Sequence, residues 1–407
     1  MSRHRQSSTF ACFLFLACLA IAVLTPVAVG GEQTPLFPDL HPGVRIYQYE
    51  WAEEACVLYV AEMERRHSDL HVEAMVGADT ILGKESVQSM AERRARRGDR
   101  RVLVAVNGGF GVLGDMKGYG GVLENLHVQD GELMTQPTDK AACFGVTSDG
   151  QFLVGPVEME AEAAIGTHTF PIESINQRHL DGFDAILYTP RLGETTRTHA
   201  RRAYEIVITG LNLPITPAYE SEFVVSKFGQ GGDNAIPKDG GVLSFRSRLD
   251  KALAAQLREG ERGHIRLALK PAAWHDVVHA IGGRLKLVTN GEINEQIAQM
   301  HHAEKEHTPG KRSENLVLSY EPRTALGFND DKLFLIVADG RQPGYSTGLT
   351  LYGLASVFVK LGAKEVINLD GGSSSTFVVN GEVVNRPAGQ DERDVLNAVL
   401  ITADKRD

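Results

Sequence analysis

From Val102 onward the sequence breaks into short apolar runs separated by glycine, proline and aspartate, and this punctuation most limits the fold. Runs of that length suit strands, whereas a helix needs an apolar face sustained over more residues. Arg101 to Val106 reads as a buried strand that ends in Asn107-Gly108-Gly109-Phe110. Tyr204 to Thr209 and Ile265 to Leu269 read as two more, with a short helix from Asp250 to Leu257 before the second. One helical face stands out: Leu351, Leu354, Ala355, Phe358 and Leu361, starting at Thr350 and stopped by Gly362. It lies between the apolar runs Leu333 to Ala338 and Val366 to Leu369, and a hairpin turning at Asn380-Gly381 follows. The expected fold is therefore α+β: a mixed β-sheet core with a strand–helix–strand unit near the C-terminus and additional antiparallel strands.

The first 30 residues read differently. Arg3 and Arg5 precede an apolar run from Phe10 to Leu24, and Ala28 and Gly30 give the small residues of a signal-peptidase site. We expect residues 1–30 to be a signal peptide, residues 31–68 an N-terminal extension adding edge strands, and residues 69–407 the main domain. The apolar run is short for a membrane span, which needs about 20 residues, so the mature chain is expected to be secreted or periplasmic without a stable span. Cys56 and Cys143 remain after cleavage, either paired or as two buried thiols. A net charge of −10 argues against nucleic-acid binding. The arginines at 93, 94, 96, 97, 100 and 101 form the basic exception, read as a solvated helix end in preference to an anion-facing patch. His301 to Asn315 reads as a polar loop, and its His301, His302, Glu304, Glu306 and His307 as an acid- and histidine-rich loop in preference to a metal site.

The chemistry concentrates late in the chain. If the runs ending at Ala338 and Leu369 share a sheet, the intervening helix makes a crossover and the strands run parallel. Each ends in Asp-Gly, at Asp339-Gly340 and Asp370-Gly371, so two carboxylates stand at one rim. They would be roughly 5 Å apart on neighbouring strands, or about 10 Å with one strand between. Such a pair suits acid/base work, because two nearby carboxyls do not ionise equally. The bland alternative is a pair of loop-capping Asp-Gly turns. Gly371-Gly372-Ser373-Ser374-Ser375-Thr376 offers unhindered backbone N–H groups and hydroxyls suited to a phosphate or a sugar. Arg323 and Arg341 flank the first strand, and either guanidinium could hold a phosphodiester or make a structural ion pair.

These residues carry a resemblance. Arg323-Thr324-Ala325-Leu326-Gly327, then Asp339-Gly340-Arg341-Gln342-Pro343-Gly344-Tyr345-Ser346, then Asn368-Leu369-Asp370-Gly371-Gly372-Ser373-Ser374-Ser375-Thr376 resembles the C-terminal signature of the phosphodiester glycosidase family. Asn107-Gly108-Gly109-Phe110, Ile281-Gly282-Gly283, Val384-Asn385-Arg386-Pro387, Arg393 and Asn397-Ala398 continue it in order. Gly111 stands where a second Phe is usual and Ser373 where a third Gly is usual. The resemblance implies hydrolysis of a sugar 1-phosphodiester, with Asp339 and Asp370 catalytic. Asn107, Arg323, Thr324, Arg341, Gly371, Gly372, Ser374 and Thr376 are then the substrate-binding set. The expected partner is a carbohydrate or phosphoglycan, with no cofactor required, although Asp-Gly loops leave Ca²⁺ open. Three alternatives compete: a non-catalytic phosphoglycan-binding envelope protein of the same fold, a serine hydrolase using Ser374, and a metal-dependent phosphodiesterase.

Overall fold

In the computed structural model, residues 33–405 are described, except 52–53, 113–118, 139, 179–184, 200–202, 247–248, 250, 304–310, 312 and 314. The signal-peptide reading and the acidic part of the histidine-rich segment lie outside the described residues. Among the described residues the chain builds four sheets, two of eight strands and two of five. Strands hold 48% of the described residues and helices 13%. This overturns the α+β expectation: the fold is β-rich. The physical reason lies in the alternation of the sequence. Ala218–Gln230 is a thirteen-residue strand whose first eight residues alternate exposed and buried, a period-two pattern that no helix can bury.

The strand–helix–strand unit exists, but as a local feature. Lys332–Ala338 and Glu365–Asn368 share the first eight-stranded sheet, and both pair antiparallel with Arg323–Phe328, which lies between them. They therefore run parallel to each other, one strand apart. The intervening helix Leu351–Lys360 starts at Thr350, whose hydroxyl accepts the Gly353 N–H at 3.0 Å. It ends before Gly362, whose φ of +82° only glycine adopts without cost. Leu351, Leu354, Ala355 and Phe358 are buried.

The extension supplies three strands to the same sheet. Gln33–His41 lies at its edge, Val44–Trp51 comes next, and Cys56–Glu64 pairs directly with Lys332–Ala338. A five-stranded sheet, with Asn397–Asp404 between Arg100–Asn107 and Leu70–Val76, packs against the first. The core between them includes Leu326, Leu335, Val337, Ile367, Leu369, Phe377, Val106 and Val399. Cys56 and Cys143 are free and buried, and burial pushes both thiols up to about 12.

Two local expectations need correction. His301 and His302 belong to the helix Glu295–Ala303, not to a loop, and His301 stacks on Tyr352 with ring centroids 3.8 Å apart. The arginine cluster is a solvated helix end only in part: Arg96 and Arg101 are exposed, whereas others are drawn into ion pairs. Arg93 binds Glu85 and Asp79, Arg94 binds Glu73 and Asp99, and Arg97 binds Asp130. Among the described residues no helix is long and apolar enough to cross a membrane.

Candidate functional site

The middle strand Arg323–Phe328 sets the level of both aspartates. Arg323 pairs with Ala338 on one side, and Ala325 pairs with Asn368 on the other. Continuing those registers puts Asp339 level with Pro322 and Asp370 level with Arg323. Both leave the sheet at one rim, at the wider of the two expected spacings: two inter-strand steps, about 10 Å.

A buried amide joins this rim to the opposing sheet. Asn107, fully buried at the end of its strand, donates from Nδ2 to the Asp370 carbonyl at 2.7 Å. Its Oδ1 accepts from Thr324 Oγ1 at 2.6 Å and from the Thr376 N–H at 3.2 Å. The Asp370 N–H in turn donates to the Gly108 carbonyl at 2.9 Å. Thr324 continues to Ser375 Oγ at 3.3 Å. Asn107 and Thr324, expected to touch substrate, instead hold the walls of the site together.

The two carboxyls differ. Asp339 is 1% exposed. Its Oδ1 accepts from Asn385 Nδ2 at 2.8 Å, and its Oδ2 from the Arg386 N–H at 2.9 Å and the Tyr345 hydroxyl at 3.1 Å. Burial pushes it up to about 6 against the pull of those donors. Asp370 is only partly buried, and its Oδ1 accepts the Gly371 N–H at 2.9 Å. Burial raises it too, opposed by the Ser374 hydroxyl, the Gly371 amide and the charges of Arg393 and Arg284. Of the two, Asp370 is the one a ligand can reach.

The glycine-rich turn is more closed than its sequence suggests. Its N–H groups at 371, 372, 374, 375 and 376 donate to Asp370, Pro322, Gly371, Gly372 and Asn107. Ser374 and Thr376 are buried, with Thr376 Oγ1 donating to the Ser374 carbonyl at 3.3 Å. The turn thus presents Gly371, Gly372 and Ser373 outward, not a full row of amides and hydroxyls. Both glycines are required. A Cβ at Gly371 would lie 2.7 Å from the Pro322 carbonyl oxygen, and Gly372 has a φ of +64° with the Arg341 guanidinium against it.

The arginines also part company. Arg323 is buried, its Nε donating to Leu349 O at 2.9 Å and its Nη2 to Leu316 O and Ser319 O at 2.7 and 2.6 Å. Those carbonyls take three of its five N–H donors, so Arg323 anchors the loops around Ser319 and Leu349. Arg341 is exposed, held by Glu321 through Nε and reaching Ser373 Oγ from Nη1 at 3.3 Å. Exposed Arg284, Arg386 and Arg393 complete a cationic collar. Reading by residue type gave no role to Asn385, Arg386 or Tyr345. The signal was their place in the motif stretches, since nothing in their spacing marks them. The missing Phe at 111 also has a cause: a Cβ there would overlap Leu396 Cδ1.

Potential metal ligands cluster elsewhere. Among the described residues, His41, His67 and Asp69 bring three such atoms within 4.8 Å. They sit at the opposite end of the first sheet, since Val44 pairs with Met63 and Met63 with Leu333. His41 Nδ1 accepts the Gly43 N–H, so its Nε2 carries the proton toward Asp69.

Comparison with known proteins agrees with the late motifs. The phosphodiester glycosidase family matches residues 218–402. Human N-acetylglucosamine-1-phosphodiester alpha-N-acetylglucosaminidase is 32% identical over 112 residues, covering 27% of this chain and 21% of that protein. The Bos taurus enzyme of the same name is 34% identical over 113 residues, again 27% and 21%. The match therefore spans about a fifth of the length of these relatives. The SPbeta prophage-derived protein YomE of Bacillus subtilis strain 168 is 37% identical over 82 residues, 20% of this chain and 13% of its own. Among solved structures, a hypothetical protein from Synechocystis superposes with a TM-score of 0.70 at 16% identity, covering 93% of this chain and 69% of the other. A candidate exported protein of Burkholderia pseudomallei K96243 gives 0.65 at 18%, covering 85% and 74%. At those identities the likeness is one of fold. Residues 218–402, which carry both aspartates and the glycine-rich turn, are the part of this chain that is similar to the phosphodiester glycosidase family.

Proposed function

We propose that the chain is an exported hydrolase that cleaves a sugar from a sugar 1-phosphodiester, leaving a phosphomonoester. The observation that carries the reading is the adjacent levels of Asp339 and Asp370 on either side of Arg323–Phe328, joined through Asn107, Thr324, Ser375 and Asn385. Asp370, the reachable carboxyl, faces the sugar and stabilises charge developing at its anomeric carbon. Arg341, aided by Arg386, takes the phosphate; a guanidinium suits a diester's paired oxygens. A phosphomonoester leaves readily, so the harder tasks are holding the anion and activating water. A spacing near 10 Å between the parent strands leaves room for a water between substrate and base, as in inverting glycosidases. The leader-like first 30 residues support export.

The test is release of free sugar from a panel of UDP-sugars, N-acetylglucosamine 1-phosphodiesters and teichoic-type polymers, with and without chelator. Release from a sugar 1-phosphodiester that is lost in Asp370→Asn supports the reading. Saturable binding without release points instead to a glycan-binding envelope protein, and chelator-sensitive release to a metal-dependent phosphodiesterase.

A further inference from the structure

We propose that the Tyr345 hydroxyl is the reacting end of a short proton chain, Tyr59–Tyr345–Asp339, and that it takes the proton of the attacking water. The inference rests on the glycosidase reading above and assigns the base within it. Asp339 is 1% exposed and already accepts three donors, so its carboxylate cannot meet a substrate directly. Tyr345 is partly exposed and touches it: its hydroxyl donates to Asp339 Oδ2 at 3.1 Å. The Tyr59 hydroxyl lies 3.2 Å from the same phenol oxygen. Because Tyr345 has one proton and gives it to Asp339, Tyr59 is the donor in that contact, and one lone pair of Tyr345 remains to accept a proton.

A single residue fixes both partners of this contact. The Arg386 guanidinium lies over the Tyr345 ring, 4.2 Å from its centroid, while the Arg386 amide holds Asp339 Oδ2 at 2.9 Å. Gln342 Nε2 donates to the Arg386 carbonyl at 2.8 Å, tying the two loops together.

The step balances as follows. A water O–H bond breaks and its proton goes to Tyr345 Oη, whose own proton passes to Asp339 Oδ2. The water oxygen's electron pair forms the bond to the anomeric carbon. The carbon–oxygen bond to phosphate breaks, and its pair stays on the phosphate oxygen. The product is free sugar and a phosphomonoester, with Asp339 protonated until the proton escapes to solvent. The groups facing Asp339 are Tyr345 and Arg386 from the loops, Tyr59 and Cys56 from the extension's inner strand, and the neutral amide of Asn385. Asp339 must be ionised to accept, so turnover rises with pH as this carboxyl, pushed up to about 6, loses its proton.

The experiment measures kcat and KM of the full chain between acid and neutral pH, with the methyl phosphodiester of N-acetylglucosamine 1-phosphate as probe. Tyr345→Phe removes the hydroxyl and keeps the ring beneath Arg386. It should lower kcat about 100-fold or more, leave KM within about threefold, and flatten the rise with pH. Asp339→Asn should share the flattened profile. If the Phe variant fails to fold, 3-fluorotyrosine at 345 replaces it. That change acidifies the phenol, and an unmoved kcat–pH profile then counts against the chain. Near-normal kcat in Tyr345→Phe, or a lowered kcat with the wild-type pH profile intact, overturns the chain while Asp370→Asn still tests the reading. A wild-type protein that binds the probe and releases no sugar overturns both.

Discussion

The strand Arg100–Asn107 runs between two buried polar clusters of opposite construction. At the Arg100 end, Glu73 is 4% exposed and accepts from Arg94 Nη2 at 2.9 Å, Arg100 Nη1 at 2.8 Å and Thr402 Oγ1 at 2.8 Å. Burial alone would raise its carboxyl, but the two arginines bring it down to about 2. At the Asn107 end, Asp339 is buried as deeply and accepts three hydrogen bonds, but from an amide side chain, a backbone N–H and a phenol. No guanidinium donates to it, and it is pushed up to about 6. Equal burial thus gives opposite outcomes, according to whether a cation donates to the buried acid. A carboxyl locked by arginine serves the fold; one solvated only by neutral donors sits near neutrality and can exchange a proton.

The sharpest way to break this contrast is to neutralise one acid at each end. Asp370→Asn, at the Asn107 end, should cost about 1000-fold or more in sugar release. Thermal unfolding should move little, whereas an aspartate that only caps its loop would lose stability and keep turnover. Glu73→Gln, at the arginine end, should do the reverse. Leaving Arg94 and Arg100 with only the exposed carboxylates of Asp99 and Asp404 should destabilise the fold by about 3 kcal/mol in urea titrations, with kcat of the remaining folded protein unchanged.

Acid titration sharpens the same contrast because the signs differ. Glu73 has a folded value of about 2, below its ordinary 4.5. Its stabilisation is complete above 4.5 and is lost as pH falls toward 2. Asp339 has a folded value of about 6, above its ordinary 3.8. Its contribution is most favourable below 3.8 and declines as pH rises through 6. Unfolding free energies across pH 2 to 7 should therefore show Glu73→Gln flattening the acid-side loss. Asp339→Asn should flatten the decline between about 4 and 6. Parallel profiles for the two variants would erase the distinction.

Sequence reading reached the frame of the site but not its orientations. The runs before Asp339 and Asp370, the helix from Thr350 to Gly362 and the turn at Asn380-Gly381 were visible because each has one clear period or stop signal. Arg323–Phe328 was not read as a strand: it begins with Arg-Thr and contains Gly327, so it lacks the apolar run that marks its neighbours. That strand alone decides which of the two spacings holds. Residue type also misdirected where side chains turn inward. Arg323 looked like an anion ligand, and Ser374 and Thr376 like a cradle, because composition names a donor without saying what occupies it. The β-rich character was underestimated for a related reason. Alternating Glu, Ser and Tyr in Ala218–Gln230 hides a strand from any search for continuous apolar runs.

The smallest expected effect concerns the turn itself, where this chain departs from its relatives' usual third glycine. Gly371 and Gly372 are dictated by a carbonyl at 2.7 Å and by a positive φ, respectively. Ser373 meets neither constraint, and its hydroxyl accepts from Arg341 Nη1 at 3.3 Å, a long contact. Arg341 keeps its main anchor, the carboxylate of buried Glu321, whichever residue stands at 373. Ser373→Gly should therefore raise KM for the phosphodiester by only about two- to fivefold, the worth of one weak hydrogen bond, and leave kcat unchanged. It should also lower stability by no more than about 0.5–1 kcal/mol through added chain freedom. Gly372→Ala is the opposing case. It places a Cβ 3.0 Å from Arg341 Nη2 on a left-handed backbone, so it should displace the guanidinium and raise KM well beyond the Ser373→Gly value. Equal KM changes in the two variants would mean that Arg341 does not hold the phosphate, because only the second moves it.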